Sequence, residues 1–219
     1  MKKNMKLALV YPNQRWQKFD MNTTWNLNPV TLALLASMVK ELVEVVIIDA
    51  NHNNLTIEEF KEKIIDEKPN FVGVSLMTSE YQNILDISVN IIKSISKGIY
   101  TIVGGVHVTT NYITVMKNPN IDFAVLGEGE YTLKNLLIYL MGQGPLPEKG
   151  LCFRHDGKLV VQEQVLVDNL KTLPWPSYDL VDFPKYLDNY ERKGPNRPPA
   201  FPALRTTVTR GCSFGCSFC

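Results

Sequence analysis

At 219 residues, 45% hydrophobic and 21% charged, the chain has room for one ordinary domain with an appendage, or for two small domains, and the make-up of a globular protein. Lys and Arg number 23 against 22 Asp and Glu, which excludes a global field recruiting nucleic acid or an anionic membrane. The opening MKKNMKLALVYP is too short in apolar residues for a secretory leader and no apolar run approaches a membrane span, so a cytoplasmic location is expected.

From residue 6 to about 142 the chain alternates apolar runs with helical periodicity. KLALVYP (6–12) reads as a buried strand. PVTLALLASMVKEL (29–42) sets Leu32, Leu35, Ala36, Val39 and Leu42 on one helical face. VEVVIID is a second strand, ending near Asp49. TIEEFKEKIIDE (56–67) begins on a capping box, with Thr56 as N-cap and Glu59 three residues on, and Pro69 stands just past its end. NFVGVSLM (70–77) is a third strand. The helix after it carries Tyr81, Ile84, Leu85, Ser88, Ile91, Ile92 and Ile95 at helical spacing and closes at Gly98. IYTIVGG (99–105) is a fourth strand, followed by a short helix around Thr110–Lys117. IDFAVLGEGE (121–130) is a fifth, running into YTLKNLLIYLMGQG, the last helix of the series.

Strands apolar on both faces belong in a parallel sheet covered by helices. With right-handed crossovers, five such units predict an α/β fold, a flavodoxin-like doubly wound sheet of order 2-1-3-4-5, which binds ligands outside the carboxyl ends of its strands. Those ends are Tyr11-Pro12-Asn13, Asp49-Ala50-Asn51, Ser75-Leu76-Met77-Thr78, Gly104-Gly105-Val106-His107 and Gly127-Glu128-Gly129-Glu130. Glycine lets a backbone approach a ligand and supplies N–H donors with no side chain in the way. Each turn alone is explained by capping; the five together, with a double glycine after the fourth strand, point to a bound ligand. Glu128 and Glu130 are expected to complement the dipole at a helix N-terminus. Leu76 and Met77 are either an apolar floor for the ligand or plain core. His107 either contacts the ligand or caps a helix.

Beyond residue 142 the texture changes. GLCFRHDGKLVVQEQ reads as a hairpin turning at Asp156-Gly157. LKTLPWPSYDLVDFPKYL and RKGPNRPPAFPALR form a Pro- and aromatic-rich connector, and TTVTRGC is expected to open a new strand delivering a cysteine loop. The expected organisation is an α/β domain over 1–142, hairpin and connector over 143–204, and the start of a further domain over 205–219. From Glu191 to Arg210 there are five basic residues and one acid, read as a solvated segment, with a segment that meets an anionic ligand near the cysteines as the alternative.

Cys212, Cys216 and Cys219 stand in a C-x3-C-x2-C spacing among small residues Ser213, Gly215 and Ser217. Three thiolates on one loop hold three irons of a cubane cluster and leave the fourth iron open to a chelating cosubstrate. The competing reading is a zinc knuckle completed by Cys152 or His155, but a second Cys pair is lacking. A receiver domain is disfavoured because Tyr11-Pro12-Asn13 lacks clustered acids, and a P-loop because G-x4-G-K-[ST] does not occur.

TRGCSFGCSFC (209–219), together with VGVSLMT (72–78), VGGVHVT (103–109), DFAVLGEGEYTLKNLL (122–137) and LKTLPWPSYDL (170–180), resembles the radical S-adenosylmethionine enzymes that carry a cobalamin-binding domain in front. The resemblance implies that Cys212, Cys216 and Cys219 ligate a [4Fe–4S] cluster, with Phe218 near the adenine of S-adenosylmethionine. It implies reductive cleavage to a 5′-deoxyadenosyl radical, a flavodoxin or ferredoxin as electron donor, and a small-molecule or natural-product substrate, often methylated at an unactivated carbon. Cobalamin is expected across the carboxyl ends of the sheet, with its nucleotide tail toward Ser75 and Gly104-Gly105. The chain is then expected to be the N-terminal part of a longer protein, inactive alone, with no catalytic residue of its own. A front domain that has lost cobalamin is the alternative within the same superfamily, and a non-enzymatic module with structural zinc the alternative outside it. The D-x-H-x-x-G pattern of cobalt-ligating domains is absent, since Asp49-Ala50-Asn51-His52 puts the histidine one place late; no histidine lower ligand is expected, and His52 is read as a solvated loop residue.

Overall fold

The computed structural model describes residues 5–17, 28–76, 82–187, 207, 209–212 and 214–217. Seven strands form a single sheet in the order β2-β1-β3-β4-β5-β6-β7. The strands are β1 (Lys6–Tyr11), β2 (Glu44–Asp49), β3 (Phe71–Ser75), β4 (Tyr100–Gly104), β5 (Phe123–Val125), β6 (Leu151–His155) and β7 (Lys158–Val161). The first five pair in parallel in the expected 2-1-3-4-5 order. The hairpin β6–β7 was expected in the connector, but it adds antiparallel to β5 and enlarges the sheet from five strands to seven. Its Asp156-Gly157 turn has positive φ at both residues, the geometry whose twist matches that of the flanking strands.

Strand alternation sorts the core into two layers. Leu7, Leu9, Phe71, Ile102 and Val125 face α1 (Val30–Val39) and α5 (Glu130–Leu140). Ala8, Val10, Val72, Val74, Val103 and Ala124 face α2 (Ile57–Glu67), α3 (Gln82–Ile95) and α4 (Val106–Val115). A short α6 (Phe183–Leu187) lies in the connector.

Local chemistry sets several boundaries. Glu59 N–H donates to Thr56 Oγ1 at 3.1 Å and Thr56 N–H to Glu59 Oε2 at 2.7 Å, completing the expected capping box of α2. Lys68 ends that helix in the left-handed region before Pro69. Helix α1 is shorter than its periodicity predicts and stops at Val39, so Leu42 falls in the following turn. Helix α4 starts directly after Gly105 rather than near Thr110. Thr207 and residues 209–212 form no strand, so the expected delivery strand is not seen among the described residues. Among those residues no helix is long and apolar enough to cross a membrane.

The connector runs around the carboxyl rim of the sheet and is fixed to it at successive points. Glu128 N–H donates to Val165 O at 2.7 Å, and Val167 N–H donates to Glu128 Oε2 at 2.5 Å. Ser37 Oγ of α1 donates to Trp175 O at 2.7 Å, and Ser177 N–H donates to Ala33 O. Tyr186 Oη donates to Asp49 Oδ2 at 2.6 Å.

Candidate functional site

A cavity of about 470 Å3 opens between the carboxyl halves of β3, β4 and β5 and helices α1 and α5. That volume lies within the range of ordinary small-molecule sites. Its wall exists because one strand position lacks a side chain. Gly73 lies in mid-strand on the face that carries Leu7 and Leu9, and a Cβ there would come within 2.9 Å of Leu9 Cδ2. Ile102, Val125, Leu32, Leu35 and Leu133 complete an apolar interior. Leu35 is only half-buried because it faces this space; in the sequence it is indistinguishable from core.

The rim is backbone. Gly105 stands at φ +104° and Gly127 at φ +82°. A Cβ on Gly105 would sit 2.3 Å from Leu76 O, and one on Gly127 would sit 2.2 Å from Val165 O. Both glycines are therefore demanded by close chain approach as well as by φ. Thr109 links the two turns, since Gly127 N–H donates to its Oγ1 at 3.0 Å and that hydroxyl donates to Gly105 O at 3.2 Å. Val106 and Leu166, each 65% exposed, put apolar surface at the mouth.

The charged element of the site is a triad. Arg210 reaches Glu128 Oε1 at 3.2 Å and Glu130 Oε1 at 2.5 Å. Burial works against the guanidinium charge, but Glu130 and Glu128 outweigh it and hold Arg210 above its ordinary pKa. Glu130 lies in the first turn of α5, as expected, with only 3% of its surface exposed. Its Oε2 is buried and has no hydrogen-bond partner among the described residues. Arg210 is thus only partly solvated: its side chain is 24% exposed, is held by the two carboxylates and lines the cavity two residues before Cys212.

Of the residues expected to touch a ligand, Ser75, Gly104, Gly105, Val106, Gly127, Glu128 and Glu130's neighbour Gly129 line this cavity. Tyr11, Pro12, Asn13, Asp49 and Ala50 do not. The ends of β1 and β2 are closed by their own loops instead. Asn13 caps a 3-10 turn at Gln14–Trp16 and its amide donates to Leu55 O at 3.0 Å. Ala50 N–H donates to Tyr11 O, and Asp49 accepts from His52 N–H at 2.7 Å and from Tyr186. The site therefore lies along β3–β5 rather than at the β1/β3 switch point. His52 is half-buried, with its ring stacked on Tyr186 at a centroid distance of 3.9 Å. His107 also turns away from the cavity. It is 4% exposed, with Nε2 2.7 Å from Gln82 Oε1 and Nδ1 3.3 Å from Asn111 Nδ2. Burial holds its pKa below the ordinary histidine value, against an upward pull from Asp86. Leu76 belongs to the opposite core layer. Met77, Thr78, Phe218 and Cys219 lie outside the described residues.

Cys212 and Cys216 are exposed free thiols, and Phe214 N–H donates to Cys212 Sγ at 3.5 Å. An N–H to sulfur contact of this kind suits a thiolate ligand. Cys152, the candidate fourth zinc ligand, is fully buried between β5 and β7, where burial raises its pKa; His155 is exposed in the hairpin. Among the described residues no three metal-binding side chains cluster.

Sequence reasoning missed Gly73 and Leu35 as parts of the site, and took Arg210 only as one of a basic run. The signal for Gly73 was a glycine inside an otherwise apolar strand, a position that often marks close approach of a ligand or backbone. For Arg210 the signal was the basic run just before the cysteines, which does not reveal a partner 80 residues away.

Residues 24–137, just over half of the chain, match the B12 binding domain family. An uncharacterized methyltransferase of Pyrococcus horikoshii is 34% identical over 99% of this chain and 45% of its own length. An anaerobic magnesium-protoporphyrin IX monomethyl ester cyclase of Rubrivivax gelatinosus is 29% identical over 98% of this chain and 38% of its own. The chain thus spans less than half the length of these curated relatives. Among solved structures, the cobalamin-dependent S-adenosylmethionine radical enzyme OxsB with aqua-cobalamin bound superposes with a TM-score of 0.67 at 21% identity, covering 80% of this chain and 24% of that one. The radical S-adenosylmethionine methyltransferase TsrM from Kitasatospora setae superposes with a TM-score of 0.61 at 18% identity, covering 73% and 30%. At these identities the superpositions establish the fold.

Proposed function

Because the chain belongs to the B12-binding domain family, we propose that it holds cobalamin at the β3–β5 cavity and serves as the front part of a cobalamin-dependent radical S-adenosylmethionine enzyme. The observation that carries this reading is the cavity itself. It has an apolar interior, a glycine rim and a buried acceptor with no partner among the described residues, and it is clasped by an arginine two residues before the cysteine motif.

The residues fit the group. Leu32, Leu35, Ile102, Val125 and Leu133 offer an apolar slot for an aromatic base. The Gly104-Gly105 and Gly127–Gly129 turns let backbone lie against a ribose and phosphate without interposed side chains. Val106 and Leu166 extend apolar surface outward, where the flat corrin would rest. Neither His52 nor His107 is disposed as a cobalt ligand, given the Tyr186 stack and the Gln82 bond.

Cys212, Cys216 and Cys219 are the thiolates that would hold a [4Fe–4S] cluster with one iron free for S-adenosylmethionine. Once bound, the cluster supplies an electron to S-adenosylmethionine and cobalamin supplies a methyl-carrying cobalt. The chain's own part is to bind and orient these groups beside each other. Radical methyl transfer to an unactivated carbon of a small-molecule substrate, with a flavodoxin or ferredoxin as electron donor, is the activity proposed for the whole protein. The methyltransferase named among the relatives supports it.

The test is a visible-spectrum titration of the purified chain with hydroxocobalamin, followed by gel filtration. Retention near one equivalent is expected; a folded chain that retains no corrin overturns the reading. Anaerobic reconstitution with iron and sulfide should load about four irons per chain and fail when Cys216 is replaced by Ser.

A further inference from the structure

Glu130 stands out as a buried acid whose hydrogen bonding is half complete. Oε1 is held by Arg210 at 2.5 Å, while Oε2 is buried with no partner among the described residues. An ionised carboxylate is acceptor-only, and leaving one oxygen dry is costly. Glu128, the other arm of the triad, is not in this condition, because Oε1 faces Arg210 and Oε2 accepts from Val167 N–H. Glu130 also lines the cavity. Its terminal torsion is soft, so the carboxylate can adjust to a donor placed in the cavity.

We propose that Glu130 is a ligand-binding residue that accepts a hydrogen bond through Oε2 from a ribose hydroxyl of cobalamin's nucleotide, and that Arg210 is the positioning residue that keeps this carboxylate aimed. The inference rests on cobalamin being the ligand and on its nucleotide loop, rather than its corrin face, entering the cavity. The ribose hydroxyls are the donors that the nucleotide offers, whereas the phosphate beside them offers none. Because Arg210 lies two residues before Cys212, the same hydrogen-bonded chain joins the occupied cavity to the cysteine loop.

The experiment measures dissociation constants of the chain and its Glu130→Gln variant for two probes, hydroxocobalamin and cobinamide, which keeps the corrin and its side-chain amides but lacks the phosphate, ribose and base. A charge-assisted bond is stronger than a neutral one, so the variant should bind hydroxocobalamin at least about tenfold more weakly and bind cobinamide as the parent does. Equal weakening for both probes would make Glu130 a purely structural residue, and no weakening for either would remove it from the site; each overturns the inference while leaving the cobalamin reading intact. A parent chain that binds neither probe overturns both. If Glu130→Gln does not fold, Arg210→Ala replaces a residue that is a quarter exposed and outside the sheet, and it should show the same selective loss.

Discussion

The double glycine after β4 offers the sharpest stability test, because its two members face different surroundings. A Cβ on Gly104 would meet nothing closer than Val125 Cβ at 3.8 Å, an ordinary contact. A Cβ on Gly105 would lie 2.3 Å from Leu76 O. That carbonyl belongs to a segment held in place by Leu76 N–H donating to Gly104 O at 3.0 Å. Gly105 also has φ +104° and ψ 177°, a region essentially reserved for glycine that costs an L-residue about 1–3 kcal/mol. Breaking the Leu76 hydrogen bond to relieve the clash adds about 1 kcal/mol. Gly105→Ala should therefore lose about 2–4 kcal/mol, a large part of the roughly 5–15 kcal/mol that holds a domain. At this chain length the loss lowers Tm by roughly 4–16 °C. Gly104→Ala should stay within about 1 kcal/mol of the parent. Urea unfolding followed by circular dichroism measures both, with unchanged m-values guarding against a change in the unfolded state. A Gly105→Ala chain as stable as the parent, or two variants equally impaired, would refute the assignment of strain to the second glycine.

Other consequences follow from polar groups in the core. Lys93 is buried against Asp122 at 2.6 Å and also donates to Ile99 O, so Lys93→Met should cost about 1–3 kcal/mol by removing a charged donor from both, and adding Asp122→Asn should recover only part of it, since Asp122 keeps its Thr101 bonds; simple additivity in a double-mutant cycle would show that the pair is not coupled. Burial depresses the pKa of His107, so its contribution to stability is complete above the unfolded value of about 6.5 and is lost as pH falls through that value toward the folded one. His107→Gln should flatten this acid-side slope in pH-dependent unfolding, and an unchanged slope counts against it. For Tyr186, burial and then Asp49 push the phenol pKa far upward. Its contribution is present below the unfolded value of about 10 and lost as pH rises beyond it, so the stability gap between parent and Tyr186→Phe should narrow above that pH.

Features set by neighbouring residues were legible in the sequence. The Thr56–Glu59 box, the Asp156-Gly157 turn and the five parallel strands each rest on local spacing, and all are present. What was not legible depends on distant partners. A hairpin next to a domain can stand apart or extend the sheet, and only the β5–β6 pairing decides it. Turns at the ends of β1 and β2 look as ligand-ready as those of β4 and β5, yet Asn13 and Asp49 spend their hydrogen bonds on Leu55, His52 and Tyr186. A basic residue in a polar, Pro-rich context reads as solvated until its two carboxylates are seen across the fold.

The connector's attachments also order the steps of folding. Val167 meets Glu128 at a separation of 39 residues, Arg210 meets Glu130 at 80, and Tyr186 meets Asp49 at 137. Closing the longest of these loops from the open chain costs about 1 kcal/mol more than closing the shortest, so the sheet is expected to assemble before the belt that girds it. Among the described residues the belt is then expected to have the least protection. Amide hydrogens of Trp175 to Tyr186 should exchange through local opening well before those of β1 and β3, and bound cobalamin, by tightening the rim, should slow that opening without changing exchange in the sheet.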